Sequence, residues 1–96
     1  MEDYRIKVNS WIAKIAALKL RSDNAAIVIG KTIHLYGTSK QNFLHNKQWL
    51  KHELCHVKQF KQYGFINFIV KYLWESVRRG YYNNRFEKEA RTFEKL

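Results

Sequence analysis

The chain has 96 residues, enough for one domain and too few for two independent cores. It is 46% hydrophobic and 16% aromatic, which argues against disorder, and its formal net charge of +10 is spread over both halves, which argues against a basic arm or tail. The single cysteine, Cys55, excludes a scaffold stapled by internal disulfides.

The N-terminus, Met1-Glu2-Asp3-Tyr4, is acidic and lacks an apolar signal core. With the unpaired cysteine and no apolar run of about 20 residues, a cytoplasmic protein is expected. Residues 3–20 read as an N-terminal scaffold helix. Tyr4, Val8, Trp11, Ile12, Ile15 and Leu18 recur at helical spacing, with Arg5, Lys7, Lys14 and Lys19 elsewhere. Ser22-Asp23-Asn24 ends it. Ala25 to Ile29 and Thr32 to Tyr36 are short and β-branched, and Gly30-Lys31 between them can turn the chain, so a β-hairpin is predicted. Residues 38–42 are a polar loop. A helix then starts near Phe43 or Asn46 and runs to Tyr63, with Gly64 as its stop. The next helix spans about Phe65 to Arg79 and stops at Gly80. It is apolar nearly all round, which reads as a buried core helix. Residues 85–96 form a last, charged helix with Phe86, Ala90 and Phe93 as its apolar stripe. The fold class is α+β, with about four helices and one hairpin in a single domain.

The chemistry lies in His52-Glu53-Leu54-Cys55-His56, an HExxH motif on a predicted helix. Histidines at i and i+4 stand about 6 Å apart on one face, so both imidazoles can reach one metal. Glu53 is turned from His52 by about 100°, out of ligand range but within reach of a water on the metal's open side. The plain alternative is two helix histidines facing solvent or capped by core polar groups. The helical wheel argues against it. Lys47, Lys51, Lys58 and Gln62 make a solvated stripe, and Leu50, Leu54 and Val57 a core stripe. His52, His56, Gln59 and Tyr63 share a third flank, bordered by Trp49 and Phe60. Cys55 falls toward the lysine flank and reads as a bystander thiol. Two histidines seldom hold zinc alone, and catalytic sites usually add a third protein ligand. His34 and His45 precede the motif, and Glu75, Glu87, Glu89 and Glu94 follow it. Periodicity alone leaves that choice open, with Glu89 slightly more inward than Glu87.

The segment His52 to Gln59 resembles the HELxHVxQ signature of small gluzincin-type metallopeptidase-like domains. Residues 26–35 resemble their hairpin before the active-site helix, and Asn84 to Ala90 resembles their NxxExEA segment. The resemblance covers about residues 25–93. It implies a minimal zincin-like domain that binds one catalytic Zn²⁺ through His52, His56 and Glu87, with Glu89 as fallback and Glu53 as general base. It also implies hydrolysis of a peptide or protein substrate. The substrate is expected along an exposed hairpin edge formed by Thr32, Ile33, His34, Leu35 and Tyr36. Family enzymes add a donor to the tetrahedral oxyanion, and Tyr81 and Tyr82 are the nearest candidates. One position departs from the pattern. Arg91 stands where gluzincins place an aspartate that orients a zinc-bound histidine. Another group must then accept the imidazole N–H. Arg91 can also pair with Glu87 at i, i+4 and compete with the metal. A catalytically inactive binding module is therefore the alternative. The charge leaves room for an acidic partner. Nucleic acid or peripheral contact with an anionic membrane surface is the less favoured reading, prompted by Trp74 and Arg78-Arg79.

Overall fold

The computed structural model describes residues 3–96. Met1 and Glu2, which open the N-terminal segment, lie outside the described residues. The chain runs β1 (Arg5–Lys7), α1 (Trp11–Leu20), β2 (Ala25–Ile29), β3 (Thr32–Tyr36), α2 (Lys40–His45), α3 (Lys47–Tyr63), α4 (Phe65–Asn83) and α5 (Arg85–Glu94). The fold is α+β, as expected from the sequence.

The hairpin forms where its β-branched residues predict it. β2 pairs antiparallel with β3, from Ala25 opposite Tyr36 to Ile29 opposite Thr32. The N-terminal segment corrects the expectation of one helix. Residues 5–7 are a strand that pairs parallel with β3, and Asn9 takes a left-handed φ of 53° that separates it from α1. The sheet order is β1-β3-β2. β3 is thus central, and the expected free edge from Thr32 to Tyr36 is not an edge. β1 occupies one side of β3, and the outer strand of the hairpin is β2.

The inward face of α1 is also corrected. Ala13 and Ala17 are buried, while Trp11, Ile15 and Leu18 are exposed. Small side chains let the helix backbone lie close on the sheet, and the large ones are left outside. Ser10 ties the strand to the helix. Its N–H donates to the Leu35 carbonyl at 3.0 Å, and its hydroxyl meets His34 Nδ1 at 2.8 Å. His34 is therefore engaged in the sheet, and burial lowers its pKa.

Residues read as a polar loop enter the short α2, where Ser39 accepts the N–H of Asn42 at 3.0 Å. Asn46 then caps α3, accepting from the N–H of Trp49 at 3.1 Å. The core joins Val28, Ile33, Leu35, Phe43, Val57, Phe60, Phe68 and Phe86. It gathers the sheet and α3 to α5 around one centre, with α3 running through it.

α4 differs most from expectation. Only Phe68 and Glu75 are buried along it, so it is not a buried core helix. Val77 is 81% exposed, Trp74 60% and Val70 59%. The core needs only one face of α4, and no other element packs against the opposite face among the described residues. No helix is long and apolar enough to cross a membrane among the described residues.

α4 breaks at Gly80, whose φ of 79° and ψ of 165° are not helical. A left-handed φ of this kind favours glycine, and it turns the chain back toward α3. Asn84 fixes the turn. Its side-chain oxygen accepts from the Phe86 N–H at 2.8 Å. Its amide donates to the Tyr72 carbonyl at 3.0 Å and the Ser76 hydroxyl at 2.9 Å. Glu75 accepts from the Arg85 N–H at 3.2 Å and pairs with Arg79 at 3.5 Å. These bonds set the rotation of α5 about its axis.

Candidate metal centre

α3 supplies His52 and His56 one turn apart, and α5 brings Glu87 to them. Glu87 Oε1 lies 3.0 Å from His52 Nε2 and 3.2 Å from His56 Nε2. Ligand atoms of the three residues all fall within 4.8 Å of one another, and Glu87 and His56 are buried. Four ligands at the zinc–nitrogen and zinc–oxygen lengths of about 2.0–2.1 Å would lie about 3.3 Å apart in a tetrahedron. The observed nitrogen–oxygen separations are close to that, and with all three ligand atoms within 4.8 Å of one another the group could hold a small cation.

The protonation of His56 follows from its neighbours. Gln59 Nε2 donates to Glu89 Oε1 at 2.6 Å and to the Phe86 carbonyl at 3.2 Å. Its Oε1 is thereby turned to His56 Nδ1, 2.8 Å away, which must donate to it. Nε2 is left to face Glu87 with either a proton or a cation. Gln59 thus provides the acceptor that Arg91 cannot. His52 Nδ1 lies 3.7 Å from Glu94 Oε1, a looser charge partner of the same kind. Glu87 is oriented from its other oxygen, because the Tyr72 hydroxyl donates to Oε2.

The charges agree with this geometry. Burial alone would raise Glu87, but hydrogen bonds from both histidines outweigh it and hold the carboxyl well below the usual carboxylate range. Burial opposes protonation of His56, yet its bond to Glu87 and nearby negative charge bring its pKa up to about 9. His52 is raised by the same partner against its burial. Protein groups alone therefore favour a proton on each Nε2. A divalent cation at the same point competes with those protons. Glu53 is buried beside the pair, and burial pushes its carboxyl up to about 7 despite the two imidazoles. Burial and the charge of Glu87 raise Tyr72 and Tyr81 above the ordinary phenol value, so both remain hydroxyl donors.

The centre opens on a cavity of about 330 Å³. Its lining includes His52, Glu53, His56 and Glu87, residues 26–29 of β2, Ala16 and Leu20 of α1, and Ile69, Tyr72 and Leu73 of α4. Tyr81 also lines it, while Tyr82 lies outside under the Arg91 guanidinium, 4.2 Å from the ring centre. Arg91 also donates to the Tyr82 carbonyl and makes no ion pair with Glu87 among the described residues, so the expected competition is absent. Glu89 serves Gln59 instead of the histidines. His45 is exposed, and Glu75 holds the start of α5. Cys55 is buried and does not face solvent with the lysines. Burial pushes its thiol up to about 11, which keeps it unreactive.

Sequence reasoning gives Gln59 and Tyr72 no role at the centre and names Glu94 only among the four candidate carboxylates. Gln59 shares the histidine flank at i+3 from His56 and closes the HELxHVxQ resemblance, and these two signals point to it. Tyr72 and Glu94 reach the centre only through tertiary packing. No family model, curated protein or solved structure matches the chain.

Proposed function

We propose that the chain is a zinc-dependent peptide hydrolase, with His52, His56 and Glu87 as the ligands. The observation that carries this reading is the convergence of His52 Nε2, His56 Nε2 and Glu87 Oε1 beside buried Glu53. Two nitrogens and one carboxylate oxygen are a donor set that suits Zn²⁺ and leaves one position open. When bound, Zn²⁺ supplies Lewis acidity and brings the pKa of water to about 7.

The protein's own groups do the rest. Gln59 keeps the Nδ1 proton of His56 in place, and Tyr72 holds Glu87 by its second oxygen. Glu53 accepts a proton from the attacking water and returns it to the leaving amine. Burial raises the Glu53 carboxyl above the usual carboxylate range, which strengthens it as a base for the first transfer. The Tyr81 hydroxyl, on the wall of the same cavity, is the proposed donor to the oxyanion. An extended peptide is placed along β2, the edge strand that lines the cavity, and pairs with its backbone. Leu20, Ile69 and Leu73 offer its side chains an apolar surface, so bulky apolar residues next to the scissile bond are favoured. The unpaired Cys55 is consistent with a cytoplasmic setting, which belongs to the same proposal.

Cleavage of a peptide library by zinc-loaded protein tests the reading. Glu53→Gln should retain zinc and lose cleavage. If the zinc-loaded wild type cuts nothing, the inactive binding module takes its place. Equal cleavage by Glu53→Gln would remove Glu53 from the mechanism.

A further inference from the structure

The outward face of α4 has no partner, and its composition says what would cover it. With about 100° of rotation per residue, Ile66, Val70, Leu73, Trp74 and Val77 fall within an arc of about 100°. All five are exposed, on the side away from Phe68 and Glu75. Lys71 and Arg78 follow on the border of that arc, and both are exposed. The only carboxylate of α4, Glu75, is buried on the inner face. A monomer in water rarely leaves so continuous an apolar stripe uncovered.

α1 repeats the arrangement independently. Trp11, Ile15 and Leu18 are exposed, with Lys14 and Lys19 on either side of them, and the helix has no carboxylate. Both helices contribute to the wall of the cavity, through Leu20 and Leu73.

We infer that these two stripes seat the protein on an anionic lipid surface, with the outer face of α4 as the principal contact. Charge decides between a bilayer and a second copy. Each chain carries a formal +10, and the cations border the stripes themselves, so two copies meeting there repel one another. The same cations are attracted to lipid phosphates, and Lys71 and Arg78 can reach them from the edge of a buried stripe. Trp11 stands within its stripe and Trp74 at the edge of the other, next to Lys71 and Arg78 on the helix, and tryptophan favours the boundary between headgroups and acyl chains. The helices lie in the plane of the interface and do not span it.

Co-sedimentation of the full chain with vesicles tests the inference. Binding is expected to vesicles of phosphatidylcholine with phosphatidylglycerol, to weaken with salt, and to be slight on phosphatidylcholine alone. The variant Val70→Gln/Trp74→Gln/Val77→Gln changes only exposed side chains. It should keep its helical circular dichroism and bind the mixed vesicles at least about tenfold more weakly. Lys71→Gln/Arg78→Gln should lose about fivefold per charge and flatten the salt dependence. No binding to the mixed vesicles would overturn the inference. So would undiminished binding by the apolar variant, which would leave only general attraction of a basic protein. Light scattering that finds a wild-type dimer made monomeric by the apolar variant would assign the face to a second copy and equally overturn it.

Discussion

The inner face of α5 and the outer face of α4 use burial in opposite ways. Around Glu87 the protein encloses acidic and polar groups, namely Glu53, His56, Gln59 and Glu87, and gives each a specific partner or neighbour. No buried side-chain nitrogen or oxygen lacks a hydrogen-bond partner among the described residues. On α4, which supplies Tyr72 to that network, Trp74 and Val77 stand in solvent. A chain of 96 residues has a small core and a thin stability margin, so both choices cost it something. Interior polar groups must be desolvated, and exterior apolar groups contribute nothing to folding. Interior polarity and exterior apolarity can both mark function, one as a centre of chemistry and the other as a surface for contact.

The comparison breaks first at Glu87. Glu87→Ala leaves His52, His56 and the Tyr72 hydroxyl without their shared acceptor. It should lose zinc and cost about 3 kcal/mol, lowering the thermal midpoint by more than about 10 °C. A midpoint within a degree or two of wild type would mean the inner network does not hold the fold. Gln59→Ala comes next. It frees His56 Nδ1 and should weaken zinc binding by about 10- to 100-fold in a competition titration with a chromogenic chelator, with Glu53 and the ligands intact. Unchanged affinity would deny Gln59 its orienting role.

In chelator-treated protein, the raised His56 contributes stability that is fully present below its unfolded pKa of about 6.5 and is lost as pH rises through about 9. The depressed Glu87 contributes stability present above about 4.3, which is lost as pH falls through its much lower folded value. Denaturation midpoints without zinc should therefore fall between pH 6.5 and 9. Zinc should reverse that trend, because it displaces the imidazole protons and binds more tightly as they leave. Calorimetry in buffers of different ionisation heat should record proton release on zinc addition near pH 7. No release would contradict the charged state assigned to His56.

The smallest effects belong outside. Val70→Gln, Trp74→Gln or Val77→Gln should each change folding stability by no more than about 0.5 kcal/mol in urea. Arg91→Ala should be similarly mild and leave zinc affinity unchanged, since Arg91 lies on Tyr82 and not on Glu87.

The sequence revealed the centre more fully than the scaffold. The hairpin is legible from two β-branched runs around Gly30-Lys31, and the histidine face of α3 from the spacing of His52, His56 and Gln59. Those features are local. The choice between Glu87 and Glu89 is not, because both border the stripe of α5. The bend at Gly80 and the bonds of Asn84 decide which one turns to the histidines. β1 has three residues and exists only through pairing with β3, so no local pattern announces it. The inward face of α1 is not legible from periodicity, because Ala13 and Ala17 pack more closely on the sheet than Trp11 or Leu18 can. The exposure of α4 is not legible either, because apolar residues all round a helix are indifferent to whether they meet a core or a surface partner. Its orientation emerges only when Phe68 and Glu75 are placed inside.

The central claim is that His52, His56 and Glu87 hold one metal ion. Anomalous scattering at the zinc edge, from crystals of protein purified with zinc, tests it directly. The account predicts one peak per chain at the meeting point of the two Nε2 atoms and the Glu87 carboxylate, absent in His52→Ala. A zinc-free chain, or a peak bound elsewhere and unaffected by that substitution, would contradict it.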